Sequence, residues 1–140
     1  MSKFWHTAIV CVALSGCAVG ITGDQQARQS FASTQSVEVA LAAAQAQALA
    51  CLTGNGSYHV QRLPGGNADS GSIVVRAAFT QNDMARVDVS RQGAGSRVDI
   101  AMWGRNLWNA EAVTAMKDAI TFNVVACKSY MPMPAPAKKG

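Results

Sequence analysis

Four short segments in the middle of the chain alternate apolar and polar residues, which is the pattern of strands with one covered face. They run over Tyr58–Leu63, Ser72–Thr80, Ala85–Arg91 and Arg97–Trp103. Turn-forming residues at 81–83 and 93–96 separate the last three segments. Because short connections favour antiparallel neighbours, this pattern predicts a four-stranded antiparallel sheet with one apolar face.

Two segments with helical spacing flank these strands. Their apolar residues recur at steps of three and four: Val37, Leu41, Ala44, Ala48, Cys51 and Leu52 before the strands, and Val113, Met116, Ile120, Val124 and Cys127 after them. Ser36 and Asn109 are the predicted N-caps. Both apolar stripes must be buried against the apolar face of the sheet. We therefore expect a two-layer α+β domain over residues 34–130, ordered α-β-β-β-β-α, with both helices on one face of the sheet.

The register of the last two strands is predicted from loop length and charge. A four-residue loop at Gly93–Ser96 pairs Val89 with Ile100. It also keeps Asp88 from lying directly opposite Asp99, an arrangement that like-charge repulsion disfavours. The outer face of the sheet is then polar, with arginines and aspartates forming ion pairs.

The first sixteen residues have the pattern of a secretion signal. Lys3 precedes an apolar run that is too short to cross a bilayer, which takes roughly 20 apolar residues. The run ends at Leu14-Ser15-Gly16-Cys17. This motif resembles the lipobox of bacterial lipoproteins, which implies cleavage after residue 16 and fatty acyl chains on Cys17. The alternative is an ordinary secretory signal followed by a chance cysteine.

The same resemblance implies a location. In proteobacterial lipoproteins an Asp directly after the acylated cysteine commonly signals retention in the inner membrane, and here that residue is Ala18. The expected location is the periplasmic face of the outer membrane, and the inner membrane is the less favoured alternative. Residues 17–33 are rich in Gln, Ser, Thr and Gly and are predicted to form a flexible tether. Residues 131–140 are predicted to form a Pro/Ala/Lys tail.

The cysteines suit an oxidising compartment. Of the four, Cys11 leaves with the signal and Cys17 is acylated, so Cys51 and Cys127 remain. Both fall on the buried stripe at the last turn of a predicted helix. An even remainder in the periplasm predicts a Cys51–Cys127 disulfide.

The predicted order of elements, taken with Leu14–Cys17, loosely resembles the helix-grip-like domains of the C-component lipoprotein of the β-barrel assembly machinery. This resemblance is one of element order and lipid anchor, and it implies no functional residue.

The chain shows little sign of catalytic chemistry. Its formal net charge of +4 is too small to indicate nucleic-acid binding. It has no Gly-x-Ser-x-Gly motif and no ligand spacing for a metal, and His59 is its only histidine after the signal. We therefore expect no catalytic residue, no cofactor and no metal, with His59 a solvent-facing strand residue.

One cluster suggests a contact surface. Trp103, Arg105, Leu107 and Trp108 surround a glycine-bearing turn, and Trp and Arg are favoured at binding hot spots. The alternative is that one tryptophan caps the core and the other packs at the start of the helix.

These observations favour a noncatalytic envelope module. It would bind the membrane through the Cys17 lipid and would contact an envelope protein or peptidoglycan. The alternative is a small secreted-type enzyme or enzyme inhibitor with a pocket between the helices and the sheet.

Overall fold

The computed structural model describes residues 19–22 and 25–128. The predicted signal, the lipobox with Cys17 and the predicted tail at 131–140 lie outside the described residues. The elements, in chain order, are β1 (Ala27–Ser33), α1 (Val37–Cys51), β2 (Tyr58–Pro64), β3 (Ser70–Ala77), β4 (Asp83–Gln92), β5 (Gly95–Met102) and α2 (Ala110–Phe122), with short 3-10 turns at Gly54–Gly56 and Asn106–Trp108.

The strands form one sheet in the order β1-β5-β4-β3-β2, and all neighbours are antiparallel. The predicted α+β class is therefore confirmed, but the sheet has five strands and the predicted four is wrong. The additional strand is β1, which lies in the segment expected to be a flexible tether. Its inner face carries only Ala27 and Phe31 as apolar residues, so its alternation is too weak to stand out in the sequence.

The register between β4 and β5 differs from the prediction by two residues. Gln92 pairs with Gly95, so the turn contains only Gly93 and Ala94. Gly93 has a φ of 59°, which a two-residue hairpin turn requires and which glycine adopts without strain. Val89 consequently pairs with Val98, and the predicted pairing of Val89 with Ile100 is wrong.

The two helices cover one face of the sheet, as predicted. Each begins at the expected cap: the Ser36 hydroxyl accepts from the amide of Val39, and the Asn109 side chain accepts from the amides of Glu111 and Ala112. The core between the layers contains fully buried side chains from both helices and from the central strands: Leu41, Ala44, Ile73, Val87, Ile100, Met116 and Ile120.

Small residues bring α1 close to the sheet. Ala40, Ala44 and Ala48 are completely buried on its inner side. At Gly71 of β3, a Cβ atom would lie 2.8 Å from Leu41 Cδ1, so the Leu41 side chain would have to move to make room for any larger residue. The alanine-rich sequence of α1 and the glycine in β3 are therefore complementary.

The second helix ends earlier than its apolar spacing predicts. Asn123 has a φ of 52°, and this left-handed residue ends the helix after Phe122. Val124 is 61% exposed and Cys127 lies outside the helix, so the prediction that both continue the buried helical stripe is wrong. No helix in the described part of the chain is long and apolar enough to cross a membrane.

Candidate functional site

The predicted disulfide is confirmed. Cys51, the last residue of α1, is bonded to Cys127, and their Cα atoms are 5.3 Å apart. The bridge joins residues 76 positions apart in sequence. It ties the chain after α2 to the end of the first helix.

A buried glutamine holds the same stretch of chain. We call residues 124–128 the return segment, because they follow the reversal at Asn123. The Gln47 side chain is 1% exposed, and its amide donates to the Ala126 carbonyl at 2.9 Å and accepts from the Ala126 N–H at 3.0 Å. Gln47 and Cys51 lie one helical turn apart, so together they fix the return segment along α1.

The other face of the sheet, which we call the open face, is not covered by a helix in the described part of the chain. A row of polar residues crosses four of its strands at one level: Ser30 on β1, Asp99 on β5, Asp88 on β4 and Ser72 on β3. The hydroxyl of Ser30 donates to Asp99, and that of Ser72 donates to Asp88. The two carboxylates are about half exposed, at 46% and 48% of their side chains.

Arginines flank this row. Arg86 Nε donates to both oxygens of Asp88, at 2.9 and 3.1 Å, and Arg97 lies 3.4 Å from Asp99. The expectation of a polar, ion-paired outer face is confirmed. A depression of about 310 Å³ lies beside the row, with Pro64, Ser72, Asp88, Ser90 and Asp99 in its lining. This one concave area thus presents the carboxylates of Asp88 and Asp99, the guanidinium group of Arg86 and serine hydroxyls to a ligand.

The predicted contact cluster of Trp103, Arg105, Leu107 and Trp108 does lie at one turn, but this turn does not expose two aromatic rings. Trp108 is 2% exposed and packs edge-on against Tyr58, with ring centroids 5.0 Å apart. Trp108 is therefore a core residue, which was the alternative interpretation of the cluster. Trp103 and Leu107 are partly buried against the core, and exposed Arg105 donates to the Gln25 side chain at 3.0 Å. The turn packs against the chain that enters β1.

The chain before β1 is also docked. The Ile21 amide donates to the Asp83 carbonyl at 2.9 Å. Gly20 is buried there with a φ of 106°, and a Cβ at this position would lie 2.9 Å from the same carbonyl oxygen. The Gln26 side chain donates back to the Ile21 carbonyl. The part of the predicted tether at residues 19–22 therefore lies against the start of β4.

His59 is exposed on the edge strand β2, where it pairs with Arg76 of β3. Among the described residues, no group of His, Cys, Asp and Glu side chains has the arrangement of a metal site. The space between helices and sheet, where an enzyme pocket was the alternative expectation, is occupied by packed side chains such as Leu41, Ile73 and Met116.

Three features of these surfaces escaped the sequence analysis: β1, the docked residues 19–22 and the Gln47 contact. Only the Gln47 contact had a signal in the sequence. Gln47 is a polar residue on an alanine-rich helix, and a buried side-chain amide needs hydrogen-bond partners. The chain matches no protein-family model and no curated protein.

Proposed function

We propose that this chain is a lipoprotein of the bacterial envelope, anchored through Cys17 to the periplasmic face of the outer membrane. Its α+β domain acts as a noncatalytic binding module that presents the open face to a polar envelope ligand. The row of Ser30, Asp99, Asp88 and Ser72 across the sheet is the observation that carries the binding role.

Two independent observations support the envelope location. The lipobox-like Leu14-Ser15-Gly16-Cys17 stands at the end of an apolar signal run. The Cys51–Cys127 bridge suits an oxidising compartment, because thiols in the bacterial cytosol are kept reduced. Each observation points to export, and they come from separate parts of the chain.

The chemistry of the open face favours peptidoglycan over a protein partner. Peptidoglycan carries hydroxyl, amide and carboxylate groups, which match the donors of Arg86 and Arg97 and the acceptors of Asp88 and Asp99. A protein partner would typically be held by apolar and aromatic anchors at the centre of the interface. The row is polar throughout, and its two carboxylates, Asp88 and Asp99, are about half exposed, so they suit a hydrated ligand.

The anchor is tested by Cys17→Ser. Mass spectrometry of the wild-type protein should find acyl chains on Cys17, and fractionation should place it in the outer membrane. The variant should lack them, because the thioether needs the thiol. Unlipidated wild-type protein in the soluble periplasmic fraction would overturn the anchor.

Binding is tested by co-sedimentation of the full, lipidated protein, held in detergent, with purified peptidoglycan sacculi. Ser90→Trp places a large side chain in the open-face depression, and Ala42→Trp places one at an exposed position of α1. We expect Ser90→Trp to weaken binding at least tenfold and Ala42→Trp to leave it unchanged. Equal binding by both variants, or no sedimentation of the wild type, would overturn the proposed ligand.

A further inference from the structure

The most exposed large apolar side chain of the described residues is at the tip of the β3–β4 hairpin. Phe79 is 94% exposed. The backbone around it is well held: the Ala77 amide donates to the Asn82 carbonyl at 3.0 Å, and the Ala78 amide donates to the Ser57 carbonyl at 3.0 Å. The hydrogen-bonded turn therefore holds the ring out in solvent. A single exposed phenylalanine is by itself unremarkable on a protein surface, so its surroundings decide its meaning.

The decisive neighbour is the N-terminal chain. Ile21 is hydrogen-bonded to Asp83, the residue at which the hairpin turn passes into β4. Gly20 packs against the same place, since a Cβ there would lie 3.1 Å from Asn82 Cβ. The chain therefore meets the domain at the hairpin that carries Phe79.

The length of chain before this contact limits where the domain can lie. Cys17 precedes Gly20 by three residues, which span at most about 11 Å when fully extended. An acylated Cys17 has its acyl chains in the bilayer and its backbone at the surface. The hairpin end of the sheet is then held against the headgroups, and a long tether cannot separate the domain from the membrane.

We propose that Phe79 inserts into the interface of the membrane that holds Cys17, so that the β3–β4 hairpin is a second, noncovalent membrane contact. This proposal rests on the proposed acylation of Cys17. Aromatic rings are favoured at the boundary between headgroups and acyl chains, where the apolar area of Phe79 leaves water. Val19, which is 39% exposed, is a second exposed apolar side chain and follows Cys17 by two residues.

This contact also orients the domain. β4 begins at the hairpin with Phe79 and ends ten residues later at the Gly93–Ala94 turn. A strand of that length spans about 33 Å, so the Gly93–Ala94 turn lies at the far end of the sheet. The proposal thus predicts that the start of β4 lies at the membrane surface and that the Gly93–Ala94 turn lies in water.

The experiment uses the full lipidated protein in vesicles of phosphatidylethanolamine and phosphatidylglycerol. With Cys17 acylated and Cys51 bonded to Cys127, a cysteine introduced at Thr80 or at Ala94 is the only free thiol for an environment-sensitive NBD label. We expect the Thr80→Cys label to emit at shorter wavelength and to be quenched by lipids with a shallow doxyl group. The Ala94→Cys label should behave as in water.

Phe79→Asp in the Thr80→Cys background removes the inserting ring and keeps the label. This change should return the label to an aqueous spectrum and abolish most of the quenching. Mass spectrometry of each preparation separates the two hypotheses. If Cys17 is acylated and the Thr80 label is nevertheless aqueous, the insertion is wrong and the anchor stands. If Cys17 carries no acyl chain, the anchor is wrong and the insertion falls with it.

Discussion

Asp88 and Asp99 lie directly opposite each other on β4 and β5, in the middle of the open face. Each carboxylate has its own partners: Arg86 and Ser72 for Asp88, and Arg97 and Ser30 for Asp99. These donors offset the repulsion between the two charges. The sequence-based register avoided this pair, and the structure accommodates it with local hydrogen bonds.

Replacing Asp99 by Asn should leave the domain as stable as the wild type, or more stable by a few tenths of a kcal/mol. The amide oxygen still accepts from Ser30, and the like-charge pair is removed. Urea unfolding followed by circular dichroism measures this difference. Asp88→Asn is the comparison. This variant should be less stable than Asp99→Asn, because the change weakens the two hydrogen bonds from Arg86. A loss above about 1 kcal/mol for Asp99→Asn would contradict the compensation described above.

Removing the disulfide by Cys51→Ala with Cys127→Ala should lower the free energy of unfolding by roughly 2–4 kcal/mol, because the bridge closes a long loop in the unfolded chain. Thermal unfolding with and without reductant measures the effect. Reductant should destabilise the wild type and leave the double variant unchanged. A wild type indifferent to reductant, with both thiols shown to be reduced, would refute a stabilising role.

Gln47→Met should cost about 1–2 kcal/mol, since the change keeps the side-chain volume and removes both hydrogen bonds to Ala126. The cost should shrink in the variant without the disulfide, where the return segment is already less constrained. Urea unfolding of the single and combined variants gives this coupling. Strict additivity would mean that Gln47 and the bridge hold the segment independently.

Trp108→Ala should destabilise the domain by about 3–5 kcal/mol, because it removes a large buried side chain and its contact with Tyr58. Arg105→Ala, three residues earlier on the exposed side of the same turn, should change stability by less than about 0.5 kcal/mol. Melting temperatures distinguish the two. Equal stability of Trp108→Ala and the wild type would show that the ring is not part of the core.

Acid should break one ion pair between the layers. Arg62 on β2 binds both carboxylate oxygens of Glu38 in the first turn of α1, at 2.9 and 2.6 Å. The hydrogen bonds and charge of Arg62 hold the pKa of Glu38 below its ordinary value of about 4.5. The stabilisation is therefore complete above that value and is lost as the pH falls through the lowered pKa of the folded state.

Arg62→Gln should raise the pKa of Glu38 back toward its ordinary value. Carbon-detected NMR titration of the Glu38 carboxyl measures this shift directly. The Asp99→Asn variant, altered on the other face of the sheet, is the control and should not move it. An unchanged Glu38 titration in Arg62→Gln would show that the pair does not persist in solution.

The sequence predicted the elements whose physical signal is local. The apolar stripes and the side-chain caps at Ser36 and Asn109 gave both helices, and the alternating strands gave the meander. The register was harder, because it depended on weighing a like-charge pair against a two-residue turn at Gly93–Ala94. The hydroxyl partners of the aspartates come from β1 and β3, so their contribution was not visible along β4 and β5.

The missing parts of the site depended on contacts between distant residues. β1 has few apolar residues, and its strand conformation comes from pairing with β5. The return segment is held by Gln47 through its backbone at Ala126, which leaves no trace in side-chain pattern. Asn123 could have been recognised as a helix end, since Asn tolerates the left-handed conformation, but the apolar spacing through Val124 suggested continuation.

The pairing of β1 with β5 has a consequence for how the domain assembles. Ala27 pairs with Met102 and Ser33 with Ser96. The first strand to be synthesised therefore cannot pair until the last strand has been made. Until then β1 has no neighbour in the sheet, and β5 would likewise lack one side of its ladder in any fragment that starts after residue 33. Such contacts between distant residues slow folding, because a long loop must close first. The five-stranded sheet can therefore be completed only once residues up to 102 are free to pair with β1.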